Sequence, residues 1–216
     1  MKRFFRMMTL ALCLTLITGM MASCGVTLKP GDKGLYDEKN KIAYVNASTV
    51  YEAIALVEDY GTLELNANVS YKIYTVPGTD PKKILATEEF DILHAADVTM
   101  PTLEEMMPSV VHVCVDGTSS SSEVLRYEDM AGILHLVEAY CYGDNLVYTG
   151  MTPRRTYRVR FESTNFPGFY YTLSYMEYSE DQVIDGVNHG KYFLHSAFDG
   201  RFVSVGDVIH KALGLE

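Results

Sequence analysis

Four arginines, Arg154, Arg155, Arg158 and Arg160, lie within seven consecutive positions of the chain. A guanidinium binds a carboxylate or a phosphate through two parallel hydrogen bonds, so a cluster of this kind can form an anion site. On a strand, Arg158 and Arg160 share one face because side chains alternate between the two faces. Alternatively, both arginines pair with acidic residues on neighbouring strands. The sequence leaves both interpretations open.

Tyrosine is unusually frequent, with 16 residues in a chain that has no tryptophan. Its ring is apolar and its hydroxyl is polar, which suits contact with a sugar or a peptide. Tyrosine also favours strands, so a β-rich fold is the alternative explanation. The sequence predicts a binding surface for a sugar, peptide or protein partner. The predicted binding residues are Arg158, Arg160, Tyr170, Tyr171, Tyr175 and Tyr178.

Two pairs of side chains carry weaker signals of catalysis. His112 and Cys114 have the residue types of a base and a nucleophile, but on one strand they project in parallel about 6.7 Å apart. His135 and Glu138 have the spacing of two zinc ligands, whereas a zinc site needs three or four ligands. The chain contains no GxSxG, SxxK, P-loop, GxGxxG or HExxH motif. We predict no catalytic residue, no metal and no cofactor, with a metal-dependent or Cys/His hydrolase as an alternative.

The segments that position these residues read mainly as strands. Segments 110–115, 156–162 and 169–177 are rich in β-branched and aromatic residues, and the Asp-Gly pair at 199–200 predicts a hairpin between 192–198 and 201–205.

Helices are predicted at four places. Thr49 and Thr102 each open a capping box, the apolar spacing over 130–141 is helical with Gly143 as its end, and Asp207 begins a short helix. Strands in runs with two or three inserted helices predict a single α+β domain with a mainly antiparallel sheet.

The first residues have the layout of an export signal. Lys2, Arg3 and Arg6 precede an apolar run over 7–20. The following sequence, Met-Ala-Ser-Cys at 21–24, resembles the lipobox of bacterial lipoproteins. That resemblance implies cleavage before Cys24 and transfer of diacylglycerol, whose acyl chains include palmitate, to the Cys24 thiol. A plain secretory signal and an uncleaved anchor are the alternatives.

These observations divide the chain into three parts. We predict a signal peptide over 1–23, a lipidated N-terminus and polar tether over 24–40, and an extracytoplasmic domain over 41–216. The tail of the chain is similar to that of uncharacterised bacterial lipoproteins, which implies no activity. Of the four cysteines, only Cys114 and Cys141 remain as side chains of the domain, either paired in a disulfide or free.

Charge excludes one class of partner. The chain has 18 basic and 28 acidic residues, and three of the basic ones precede Cys24. The exported part therefore has 15 basic and 28 acidic residues, which gives it a net charge of −13. Such a surface is unsuited to nucleic acid, whose binding needs Lys and Arg to neutralise phosphates. It is also repelled by anionic lipid, so the expected membrane contact is the lipid on Cys24.

The sequence therefore favours a non-enzymatic binding or interaction domain, held by lipid on the extracytoplasmic face of the cell membrane. A structural or regulatory lipoprotein that docks on a membrane protein is the second interpretation.

Overall fold

The fold is seen in a computed structural model that describes residues 25–31, 34–66, 68–115, 123–147 and 152–215. The predicted signal and Cys24 lie outside these residues. The first strands are β1 Val26–Gly31, β2 Gly34–Asp37, β3 Ile42–Asn46, β4 Tyr51–Ala53, β5 Asp59–Asn66, β6 Val69–Thr75, β7 Ile84–Thr87 and β8 Ile92–Ala95. After them come α1 Leu103–Met106, β9 Val110–Val115, β10 Glu123–Tyr127, α2 Met130–Tyr142, β11 Arg155–Glu162, β12 Phe169–Glu177, β13 Val183–Ile184, β14 Val187–Asn188, β15 Tyr192–His195, β16 Phe202–Ser204 and α3 Val208–Leu213.

Seven of the first eight strands close into a barrel, in the order β1-β2-β3-β8-β7-β6-β5. Neighbouring strands are antiparallel except at the closing seam, where β1 runs parallel to β5. Alternate side chains point inward, as the period of a strand requires. The barrel core is therefore built from the inward apolar side chains of its strands, which include Leu28, Tyr44, Leu63, Ile73, Leu85 and Leu93.

Gly61 allows the seam to close. It lies opposite Val26 in the parallel pair, beside a register shift in the β5–β6 ladder. A Cβ at Gly61 would lie 1.9 Å from the Val26 carbonyl oxygen, and the backbone there has φ +156°. Only a residue without a side chain permits this approach of two backbones.

A second sheet has the order β10-β9-β11-β12-β15-β16, with β4 paired to the other end of β12. One face packs against α2 and α3 in the main hydrophobic core, with residues such as Val159, Phe161 and Leu136. The opposite face carries polar side chains, and we call it the polar face; it presents His112, Cys114, Arg158, Arg160, Thr172 and Ser174.

Strand β4 joins the barrel to the sheet. The Ala53 N–H donates to the Phe90 carbonyl oxygen of the barrel at 2.9 Å, while Ala53 lies opposite Phe169 of β12. Ala86 and Ile92, which point outward from the barrel, belong to the same hydrophobic core as the sheet. The barrel and the sheet therefore share buried apolar surface.

The predicted α+β fold is wrong. The described residues are mostly β, in a closed barrel and a second sheet, with three short helices. The predicted tether also contains strands, since β1 and β2 lie within 24–40 and pair with β5 and β3. Thr49 opens no helix, because Val50, Tyr51 and Ala53 instead pack into and pair with the second sheet.

Three of the four predicted helices are confirmed, and the third of them, α3, runs from Val208 to Leu213 directly after Asp207. The Thr102 hydroxyl accepts the Glu105 N–H and the Glu105 carboxylate accepts the Thr102 N–H, so α1 begins with the predicted capping box. Helix α2 begins after Asp129 and ends at Gly143, and it buries Ile133, Leu136 and Val137 on one side. Local signals were sufficient for α1 and α2 because both ends of each are fixed by nearby residues.

Candidate functional site

The four tyrosines of the predicted binding surface do not lie on one face of the second sheet. Tyr171 and Tyr175 point into the main core, where Tyr175 is fully buried. Tyr178 is buried in a small cluster with Phe193 and Phe202. Only Tyr170 lies with Arg158 and Arg160 on the polar face. Consecutive tyrosines on one strand point in opposite directions, so this sequence pattern could not place all four on one surface.

The two arginines on the polar face are paired with a carboxylate. The Arg160 guanidinium donates to both oxygens of Glu52, with Nε 3.0 Å from Oε2, and Arg158 lies 3.8 Å from the same carboxylate. The Arg160 guanidinium also lies 5.7 Å from the centre of the Tyr170 ring. The structure therefore has the cross-strand pairing that the sequence offered as the alternative to an anion site.

His112 is engaged by groups other than Cys114. Its Nε2 is 2.5 Å from Glu162 Oε2, and its ring makes an edge contact with Tyr170 at 5.5 Å between centres. Cys114 and Cys141 are both free thiols, and burial raises the pKa of the Cys141 thiol, with Glu104 adding to the effect. Burial therefore disfavours the thiolate form of Cys141.

His135 and Glu138, the second pair of candidate residues, have separate surroundings in the structure. His135 Nε2 lies 3.1 Å from the Val205 carbonyl oxygen, and Glu138 is exposed on α2. Among the described residues, no group of three or more His, Cys, Asp or Glu side chains could hold a metal ion.

A shallow groove runs along the polar face beside Arg158. It has a volume of about 270 Å³, and Thr172, Ser174 and His195 line it. Burial lowers the pKa of His195, while Asp199 acts weakly in the opposite direction. The neutral imidazole is therefore favoured at this position.

A larger cavity, which we call the lumen pocket, lies inside one end of the barrel. It has a volume of about 390 Å³ and is open to solvent. Every strand of the barrel except β1 contributes to it, through inward side chains near one rim. The apolar lining residues are Leu35, Tyr44, Val45, Leu63, Leu65, Tyr71 and Leu93.

The opposite end of the barrel is closed by hydrogen bonds. The Tyr44 hydroxyl, whose pKa is raised by burial, donates to the Pro81 carbonyl oxygen at 2.8 Å. The buried Asp37 carboxylate accepts two backbone N–H groups and the Asn40 side chain, and the Tyr60 hydroxyl lies 3.4 Å from it. The lumen is therefore a blind pocket with one mouth.

The mouth carries the polar part of the lining. Asn46, Glu89 and Asp91 are exposed there, and Thr87 is buried below them. Phe90, between the two acids, has a left-handed backbone with φ 69°. This conformation is uncommon for a bulky residue and fixes the path of the turn.

The sequence contained a signal for this pocket that we did not use. Inward positions alternate in β5 (Leu63, Leu65), in β6 (Tyr71, Ile73) and in β8 (Leu93, Ala95). Several short alternating strands in succession are typical of a barrel. The strands are short, however, and the register that closes the ring is not a local property.

Comparisons with known proteins give no family for this chain: no family model, no curated protein and no solved structure matches it. A search of the part of the chain that the structure describes finds no helix long and apolar enough to cross a membrane.

Proposed function

We propose that this protein is an extracytoplasmic binding protein, held to the membrane by lipid on Cys24, that takes up a small and largely apolar ligand in the lumen pocket. The observation that carries this proposal is an open, apolar cavity inside a closed barrel. Its volume of about 390 Å³ lies in the usual range of ligand pockets, and barrel mouths are common places for them.

The pocket is preformed, which supports binding as its role. Its walls are strands of a hydrogen-bonded ring, so a ligand has little backbone to order on entry. Leu65, at the mouth, is 43% exposed, and burial of such apolar surface by a ligand is favourable by about 25 cal/mol per Å². Neither of the two candidate catalytic pairs, His112 with Cys114 and His135 with Glu138, lines the cavity, which favours binding over chemistry.

The position of β1 predicts which end of the barrel would face the membrane. β1 begins at Val26, two positions after Cys24, a separation that spans at most about 7 Å. Val26 lies at the closed end of the barrel, opposite Gly61. A lipid on Cys24 would therefore hold the closed end against the membrane and leave the mouth facing away from it.

Ligand uptake is tested with a neutral apolar dye, N-phenyl-1-naphthylamine, and the mature chain, residues 24–216 with Cys24→Ser to keep it free of lipid. We expect saturable dye fluorescence that 1-octanol reverses. Leu65→Trp fills the mouth and should abolish binding. Val187→Trp is the matched control, because Val187 is also exposed, at 56%, but lies on β14, outside the barrel. Equal dye binding by both variants would refute the lumen pocket as the site.

The anchor is tested by metabolic labelling of the full chain with palmitate. We expect Cys24→Ala to lose the label and to leave the membrane fraction. Cys13→Ala, which changes the cysteine within the predicted signal, should keep both the label and the membrane association. Retention of the label by Cys24→Ala would refute lipidation at this residue.

A further inference from the structure

The mouth of the lumen pocket is negatively charged. Glu89 and Asp91 line it, and both are exposed. Within the described part of the chain, neither carboxylate has an ion-pair partner, and no lysine, arginine or histidine lines the cavity. This differs from the polar face, where the acids Glu52 and Glu162 are paired with basic side chains.

Hydrogen bonds fix the backbone of the turn that carries the two acidic residues. The buried Thr87 hydroxyl accepts the backbone N–H groups of Glu89 and Asp91, both at 3.3 Å. The Thr87 N–H donates to the Asp91 carbonyl oxygen at 2.9 Å. The turn therefore keeps both acids at the rim, one on each side of Phe90.

An aromatic ring lies next to this acidic rim. Ile73 is opposite Thr87 in the β6–β7 ladder, and the ladder continues because the Glu88 N–H donates to the Lys72 carbonyl oxygen at 3.0 Å. Tyr71 therefore lies on the strand beside this turn, and it lines the cavity together with Glu89. Carboxylates beside an aromatic ring are the surroundings that an organic ammonium group prefers.

We propose that the lumen pocket is selective for cationic amphiphiles, in which an alkyl body enters the barrel and an ammonium group stays at the rim between Glu89, Asp91 and Tyr71. This inference rests on the proposed function, because it names the ligand class of the same pocket. An alkyl carboxylate of equal length is disfavoured there, since its charge would lie beside two like charges.

Three eight-carbon probes separate the two proposals: octylammonium, octanoate and 1-octanol, each measured by displacement of the neutral dye from the mature Cys24→Ser chain at pH 7. We expect octylammonium to bind about tenfold tighter than octanoate, from two partly screened charge contacts. The preference should shrink in high salt, which screens exposed charges. 1-Octanol should bind whatever the salt concentration.

The double variant Glu89→Gln/Asp91→Asn tests the rim directly. It should remove the preference for octylammonium and leave 1-octanol binding unchanged. The matched control is Glu38→Gln/Glu64→Gln, which removes the same charge from exposed residues outside the lumen pocket and should keep the preference.

The outcomes distinguish the two proposals. If 1-octanol binds but octylammonium binds no tighter than octanoate, the inference about charge is overturned and the apolar pocket stands. The same holds if the rim variant and its control behave alike. If none of the three probes displaces the dye, the proposed function fails, and the ligand class fails with it.

Discussion

At the scale of single residues, Glu52 organises the polar face of the second sheet. Its carboxylate is only 17% exposed and accepts two hydrogen bonds from Arg160, which is 24% exposed. Thr172 Oγ1 lies 3.5 Å from the same carboxylate. Because Glu52 belongs to β4, this ion pair also fastens the strand that joins the barrel to the sheet.

Glu52→Gln should lower the free energy of unfolding by about 2 kcal/mol, because it leaves a half-buried guanidinium without its counter-ion. The measurement is urea unfolding followed by circular dichroism. Glu64→Gln removes an equal charge from an exposed position and should change stability by less than about 0.5 kcal/mol. Equal stability of the two variants would show that the Glu52–Arg160 pair contributes nothing measurable.

Protonation of His195 should make the free energy of unfolding depend on pH. Burial lowers its pKa from the ordinary value of 6.5, so between that lowered pKa and pH 6.5 the unfolded chain binds a proton that the folded chain does not. Stability is therefore fully present above about pH 6.5 and is lost as the pH falls through the lowered pKa. Unfolding by urea at a series of pH values should show a shallower acid decline for His195→Gln than for the wild type. Parallel curves would exclude this residue as the cause.

At the scale of elements, closure of the barrel depends on Gly61. Gly61→Ala places a methyl group 1.9 Å from a backbone oxygen of β1, which no rotamer change relieves. We expect the β1–β5 pairing to be lost, a destabilisation of more than about 3 kcal/mol and loss of dye binding in the lumen. Gly186→Ala is the control, because Gly186 also has positive φ but no atom within 4 Å of the added methyl group, so only about 1 kcal/mol of strain is expected. Dye binding by Gly61→Ala at wild-type affinity would contradict this role.

The same elements show how far the sequence could predict the fold. Residues 102–106 and 130–142 were predicted well, because a capping box and a 3.6-residue spacing are local. Strands β9, β11 and β12 were also found from their composition. The barrel was missed because its strands are short and its closing pair joins Val26 to Gly61, residues that no local pattern connects. The lumen pocket was missed with it, since its lining comes from six strands.

At the scale of the whole molecule, Val26, where β1 begins, and the lumen pocket lie at opposite ends of the barrel. β1 has six residues and rises about 3.3 Å per residue, so the two rims are roughly 17 Å apart along the strand. Asp97 follows β8 at the closed end, and Ser70 lies at the start of β6 beside the mouth; both are exposed. A ligand would then reach the mouth from the aqueous side.

This orientation predicts a difference in fluorescence quenching by lipid headgroups. The lipidated chain, with Cys114→Ala and Cys141→Ser, is labelled at Asp97→Cys or at Ser70→Cys and placed in vesicles that carry nitroxide headgroups. The label at position 97 should be quenched more strongly, because quenching by a nitroxide falls off steeply with distance and the closed end lies next to the anchor. Equal quenching would mean that the barrel lies on its side or moves freely about the anchor. Stronger quenching at position 70 would mean that the mouth faces the bilayer, so that the ligand would be drawn from the lipid and not from solution.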